Sequence, residues 1–185
     1  MRNVVVVISG PSGVGKGTIA KKLCENNTDI FLSISATTRE PRRGERDGKE
    51  YFFITKEEFL SRIENDGFLE YSNHFENYYG TPKNEVLKKL EEKDVLLEID
   101  VNGGLNVKKN FPEAVLIMIA PPSIEDVKER LLKRNTETLE KIEQRLSRIE
   151  YEIEKQKYYD YTVVNDNLER AVLEVKEIIK KEKSK

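Results

Sequence analysis

Val4-Val5-Val6-Val7-Ile8-Ser9-Gly10-Pro11-Ser12-Gly13-Val14-Gly15-Lys16-Gly17-Thr18 decides the fold of this chain. Val4 to Ile8 are five consecutive β-branched apolar residues, as in a strand buried on both faces. A glycine-rich turn follows. Ile19, Ala20, Leu23 and Cys24 then recur at helical spacing, which places a helix start near Gly15. Strand, glycine turn and helix N-terminus in that order build an anion site. Backbone N–H groups converge, the helix dipole favours negative charge, and Lys16 adds a full positive charge. Glycine lets the backbone pass close to phosphate oxygens and take left-handed angles. The bland alternative is a strand-to-helix turn that holds nothing.

The stretch resembles the P-loop (Walker A) of nucleotide-binding proteins, with one departure. That pattern puts Ser or Thr directly after the lysine; here Gly17 comes first and Thr18 second. The Gly15-Lys16-Gly17-Thr18 ending is similar to that of nucleoside monophosphate kinases. The resemblance implies an ATP site made by Gly10, Pro11, Ser12, Gly13, Val14, Gly15, Lys16, Gly17 and Thr18. Thr18 would face Mg²⁺, directly or through water.

Composition narrows the rest. A chain of 185 residues suits one α/β domain with sub-lobes. Its 32 basic and 34 acidic residues give a net charge of -2, which argues against nucleic-acid binding through bulk charge. No apolar run approaches the ~18 residues of a membrane span. The chain enters a strand at once, which argues against a signal peptide. One cysteine excludes an intramolecular disulfide and suits a reducing compartment, so a cytoplasmic location is expected, with no membrane partner. One His beside one Cys makes no structural zinc site. Nothing in the composition separates a monomer from a homo-oligomer.

Strands alternate with helices along the chain, the pattern of a parallel sheet with right-handed crossovers and ligands at the strands' carboxyl ends. Phe31 to Ile34 reads as a short strand. Residues 35–48 are polar and turn-rich, with nothing to bury. Glu50 to Ile54 reads as a strand, and Thr55 with Glu58 as a capping box for a helix carrying Phe59, Leu60 and Ile63. Phe68 to Tyr71 is another strand, before an aromatic loop at residues 78–82. Residues 35–82 thus form a small inserted lobe. Core elements resume with a helix near Lys83 and strands over Val95–Asp100, Ala114–Ala120 and Tyr161–Val164. Ser123 and Asp126 suit a helix cap, a second helical pattern runs from Leu139 to Ile153, and Leu168 to about Lys181 is a final helix. Lys180 to Lys185 reads as a frayed tail.

Arg39, Arg42 and Arg43 sit in that turn-rich segment, with Tyr51 and Tyr79 further on. Arginine forks match phosphate oxygens and a tyrosine hydroxyl adds a neutral donor, so the set suits a second phosphate; a solvated charge run is the alternative. Asp100, ending an apolar strand, is placed like the Walker B acid of P-loop enzymes, able to orient Mg²⁺-bound water; capping the next helix is its alternative. His74 reads as surface and Cys24 as a small apolar residue on the first helix.

Several motifs carry a closer resemblance. Ser35-x-Thr37-Thr38-Arg39-x-Pro41-Arg42-x-Gly44-Glu45 with Gly48 and Tyr51 looks like the GMP-binding signature of guanylate kinases. So do Phe68-Leu69-Glu70, Tyr78-Tyr79-Gly80-Thr81, Asp100-Val101-x-Gly103-Gly104, Arg134-x-Thr136-Glu137, Arg145-Leu146 and Val163-Val164-Asn165-Asp166. The match runs from about residue 4 to 180. It implies a doubly wound parallel P-loop core (residues 1–34, 83–125 and 158–185), a GMP-binding lobe (35–82) and a helical lid (126–157). The implied reaction is ATP- and Mg²⁺-dependent phosphorylation of GMP, and of dGMP, to the diphosphate in purine nucleotide metabolism. Arg39, Arg42, Tyr51 and Tyr79 would hold the GMP phosphate, and Ser35, Glu70, Thr81 and Asp100 the guanine. Lys16, Arg134 and Arg145 would act on the moving phosphoryl group, and Arg130 and Asn165 would border ATP. Glu70 suits guanine because a carboxylate accepts from N1–H and N2–H₂ together, whereas adenine offers no such donor pair. Asn135 stands where the family usually has Gly after the lid arginine. Arg148 matches no family position and reads as a solvated face. Kinase activity toward another nucleoside monophosphate, such as AMP, and an inactive guanylate-kinase-like binding module are the competing readings.

Overall fold

The structure, a computed structural model, describes residues 2–25, 27–74, 76–125, 127–128 and 139–185. In chain order its elements are β1 (Val5–Ser9), α1 (Lys16–Glu25), β2 (Ile30–Leu32), β3 (Ala36–Thr37), β4 (Phe52–Phe53), α2 (Lys56–Glu64), β5 (Phe68–His74), β6 (Asn77–Pro82), α3 (Lys83–Leu90), β7 (Asp94–Glu98), α4 (Val101–Asn110), β8 (Val115–Ala120), α5 (Leu139–Glu154), β9 (Tyr161–Val164) and α6 (Leu168–Lys183). A 3₁₀ turn at Lys155–Tyr158 joins α5 to β9.

Five strands form a parallel sheet in the order β2-β7-β1-β8-β9. The central strand is buried along its whole length, as its unbroken apolar run requires. Its alternate residues divide between two cores. Val4, Val6 and Ile8 pack with Ile19 and Leu23 of α1 and Val172 and Val175 of α6. Val5 and Val7 pack with Val86 of α3 and Val107 of α4. Helices on both faces make the sheet doubly wound.

The inserted lobe is a second sheet, in the order β4-β3-β6-β5, with its own small core of Ala36, Phe59 and Phe68. The Phe59 and Phe68 rings stack at 4.3 Å. Three local expectations are corrected here. Ala36 and Thr37 are buried in β3, so the 35–48 stretch does contribute to a core. Residues 78–82 form a strand rather than a loop, paired with β5 across a hairpin. The capping box has only one arm: Glu58 N donates to Thr55 Oγ1 at 3.1 Å, while the Glu58 carboxylate accepts from Arg62.

The carboxyl tail is also ordered, against expectation. Helix α6 continues to Lys183, whose ammonium donates to buried Asp94 at 2.7 Å. Asp94 in turn accepts from Val4 N at 3.1 Å, tying the chain's last helix to its first strand. Cys24 is half-buried against the α1 side of the core, and burial pushes its thiol up. His74 closes β5; its side chain, and all of Asp126, lie outside the described residues.

Candidate active site

A cleft of about 510 Å³ opens at the carboxyl ends of β1 and β7, where parallel α/β sheets place their ligands. The loop after β1 lines it with Gly10, Ser12 and Lys16. The inserted lobe adds Ser35, Tyr51, Glu70, Ser72 and Tyr79, and β7 adds Glu98 with Ile99 and Asp100 beyond its end. Arg148, Ile149 and Glu152 reach it from α5.

The loop is pinned from behind. Asn165 at the end of β9 donates its amide Nδ2 to Val14 O at 2.8 Å, and its backbone N–H to Ala120 O at 2.9 Å. Gly15 has φ 98°, and a Cβ there would meet Asn165 Nδ2 at 2.5 Å, so both the angle and the space demand glycine. Lys16 Nζ donates to Gly10 O at 2.6 Å and Pro11 O at 3.1 Å, which holds the ammonium across the loop. Burial pulls the Lys16 pKa below its ordinary value, and Glu98, Glu152 and Asp100 oppose that pull. Thr18 stands exposed in the first turn of α1.

The departure at Gly17 has a structural reason. A Cβ at that position would lie 3.3 and 3.4 Å from the two carboxylate oxygens of Glu98. A side chain there would require the Glu98 carboxylate to shift by a few tenths of an ångström. Glu98 is a cleft-lining acid that sequence reasoning passed over in favour of Asp100. The signal was available: Glu98 is an acid breaking the apolar run Val95 to Ile99 near the carboxyl end of the expected strand, where parallel sheets place their ligands. Although Glu98 is open to solvent in the cleft, the surrounding walls push its carboxyl pKa up, with Lys16 acting in the opposite sense.

Asp100 does cap α4, accepting from Gly103 N at 2.7 Å, and it lines the cleft as well. Its backbone is fixed from below. Ser9 Oγ donates to Asp100 O at 3.1 Å, and Tyr159 Oη donates to the next carbonyl, Val101 O, at 2.9 Å. Burial drives the Tyr159 phenol upward, so it stays a neutral donor.

Glu70 is buried to 6 % exposure at the junction of lobe and core. Thr81 Oγ1 donates to its Oε1 at 2.8 Å, and its Oε2 sits over the start of α4, 3.0 Å from where a Cβ on Gly103 would be. Burial raises its pKa to about 7, the Thr81 hydrogen bond opposing and nearby Asp100 adding to the rise. The Thr81 proton is thus given to Glu70, and Thr81 itself does not line the cleft.

The two lobe arginines are differently placed. Arg39 NH2 bonds both carboxylate oxygens of Glu45 at 2.9 Å, and its guanidinium lies 5.5 Å from the Tyr51 ring centroid. Tyr51 and Tyr79 pack edge to face at 6.0 Å. Arg42 is exposed and bonds Glu45 through its backbone N–H at 2.7 Å. That N–H first, and then Arg39, hold the Glu45 carboxyl below its ordinary range. Neither arginine lines the cleft, although Tyr51 and Tyr79 do. Glu45 therefore organises the segment, a role the charge pattern alone did not disclose. Arg130 and Arg134 lie outside the described residues; Arg145 belongs to α5, with its side chain outside them. Arg148, expected on a solvated face, is exposed and also borders the cleft.

A doubly wound parallel sheet, a lysine-bearing glycine loop at the head of its first helix and an inserted lobe across one cleft define a P-loop kinase fold. The guanylate kinase family model matches residues 2–182. The guanylate kinase of Caldanaerobacter subterraneus subsp. tengcongensis is 52% identical over 183 residues, covering 98% of this chain and 89% of that one. The Clostridium perfringens (strain 13 / Type A) guanylate kinase is 53% identical over 183 residues, covering 98% and 85%. The crystal structure of guanylate kinase from Anaplasma phagocytophilum superposes with a TM-score of 0.80 at 32% identity, covering 100% of this chain and 88% of that one. The chain belongs to the guanylate kinase family.

Proposed function

We propose that this protein transfers the γ-phosphoryl group of ATP to GMP, giving ADP and GDP, and accepts dGMP as well. One observation carries the reading: a single cleft is lined both by Lys16 of the phosphate loop and by buried Glu70 of the inserted lobe. The first suits a polyphosphate, the second a base with adjacent N–H donors.

In this reading an oxygen of the GMP phosphate attacks the γ-phosphorus as the bond from phosphorus to the β,γ-bridging oxygen breaks, and that oxygen leaves with ADP. No protein nucleophile is needed; catalysis is alignment plus charge neutralisation. Lys16 turns from the loop carbonyls to the transferring group. Glu70, oriented by Thr81, accepts from guanine N1–H and N2–H₂, with Ser35 and Asp100 beside it. Tyr51 and Tyr79 serve the GMP phosphate from the cleft wall, and Arg39, held by Glu45, and Arg42 swing in from outside the cleft to join them. Arg134 and Arg145 act from the lid, Arg130 and Asn165 border ATP, and residues 1–34, 83–125 and 158–185 serve as core to lobe 35–82 and lid 126–157. Closure of lobe and lid excludes water and limits wasteful hydrolysis.

Mg²⁺ would enter with ATP. Among the described residues no group of three or more His, Cys, Asp or Glu side chains forms a metal cage, which suits an ion carried mainly by phosphates. Hard oxygen donors that could serve such an ion are Glu98 and Asp100, which line the cleft, and Thr18 in the first turn of α1. An ion held by these donors and ATP would neutralise charge on the polyphosphate. Among the described residues no helix is long and apolar enough to cross a membrane.

Incubation with ATP, Mg²⁺ and GMP followed by nucleotide chromatography tests the proposal. Equal amounts of GDP and ADP are expected. GMP binding with no GDP formed would place the chain with inactive guanylate-kinase-like binding modules.

A further inference from the structure

Arg148, Ile149 and Glu152 form one stripe of α5, at positions i, i+1 and i+4, and all three line the cleft. Ile149 is 2 % exposed and seats the helix against the site. The Glu152 side chain is only 10% exposed, while that of Arg148 is 57% exposed. Arg148 Nε donates to Glu152 Oε1 at 3.1 Å. Glu152 Oε2 is fully buried and has no hydrogen-bond partner among the described residues. A carboxylate so enclosed is costly unless a cation serves it, unlike the exposed i,i+4 pairs that decorate helix surfaces. The field of both side chains reaches Lys16.

The geometry points to Arg148 as a further phosphate-contacting residue of the transfer step, with Glu152 as the residue that positions it. Glu152 uses the Nε–H alone, which fixes the guanidinium plane. The four donors on the two terminal nitrogens are not used by it, and a guanidinium fork matches phosphate oxygens. The cleft supplies the phosphate: Lys16 stands on its loop side and Tyr51 and Tyr79 on its lobe side. Arg148 adds charge to the group in flight and takes no proton or bond, so the transfer balances as written above. This inference rests on the GMP phosphorylation reading.

The test compares wild type, Arg148→Ala, Arg148→Lys, Glu152→Gln and the double variant Arg148→Ala/Glu152→Gln. It measures kcat and KM for both nucleotides, the thermal midpoint, and kcat with added guanidinium ion. Arg148→Ala is expected to lower kcat about 30-fold, short of the 10³–10⁵ of a sole arginine finger, because other lid arginines share the charge. Guanidinium should restore several-fold of that loss. The midpoint should fall in Arg148→Ala, which leaves the enclosed Glu152 carboxylate without its cation, and should return in Arg148→Ala/Glu152→Gln, where kcat stays low. Arg148→Lys should recover only part. Glu152→Gln should lower kcat about fivefold in the wild-type background and not at all beside Arg148→Ala, the signature of a residue acting through another. Arg148→Ala with kcat within twofold of wild type overturns the inference, as does a loss that guanidinium leaves untouched. A wild-type chain that forms no GDP overturns the parent reading, and this one with it.

Discussion

Replacing Glu70 by Gln separates what this residue costs the fold from what it gives the substrate. A carboxyl moved from 4.5 to about 7 on folding corresponds to about 3 kcal/mol. The folded state holds its proton more tightly than the unfolded chain. The penalty is therefore absent below pH 4.5, grows as pH rises, and is complete above pH 7. Gln keeps the shape and an acceptor for Thr81 without the charge. Glu70→Gln should thus match wild type near pH 4.5 and exceed it at pH 8 by up to about 3 kcal/mol, roughly 6–12 °C in thermal midpoint. Activity should move the other way. Losing a charged acceptor for two guanine N–H donors, at roughly 1.5–3 kcal/mol each, predicts a fall in kcat/KM for GMP of about 10²-fold or more. In wild type, kcat/KM for GMP should also fall below pH 7 as Glu70 takes up its proton. In the variant only the titration of GMP's own phosphate should remain. Calorimetry and initial rates between pH 4.5 and 8 provide both readings. A variant less stable than wild type at pH 8, or a stability difference independent of pH, would refute the reasoning.

Lys16→Met should reduce turnover by orders of magnitude while GMP affinity, measured calorimetrically, stays within a few-fold; near-normal turnover would remove the loop's role. Gly17→Ala places a methyl 3.3 Å from the Glu98 carboxylate, so kcat should fall roughly tenfold and the Mg²⁺ requirement should rise, with GMP binding unchanged. Asp94→Ala, far from the cleft, strips Val4 N and Lys183 of their acceptor. It should cost about 2–4 kcal/mol by denaturant melts with KM unaltered.

The loop and the central sheet were readable because their code is local and contiguous. An apolar run, spaced glycines and a helical repeat fall within residues 4–24, and each strand–helix unit repeats that grammar. Contacts between distant segments were not readable. Gly80 and Pro82 look like turn residues, yet Gly80 is needed in β6 because Phe68 and Phe59 press on it, 2.9 and 3.0 Å from where a Cβ would stand. The lysine-rich tail looks solvated until Asp94 and Tyr161 are seen to hold it through Lys183 and Glu182. Among cleft residues, Lys16, Glu70 and Asp100 announced themselves by chemistry and motif. Glu98 was hidden by the acid beside it. Arg148 was hidden because one more arginine on a charged helix carries no mark; only the burial of Glu152 distinguishes it.

The most direct test of the central claim is ADP release with ATP and Mg²⁺ and, in parallel, GMP, AMP, UMP or CMP as acceptor. Turnover with GMP alone is the predicted result, because Glu70 leaves any base without paired N–H donors facing an unsatisfied carboxylate. Turnover that prefers AMP would contradict the assignment of Glu70 and of the cleft built around it.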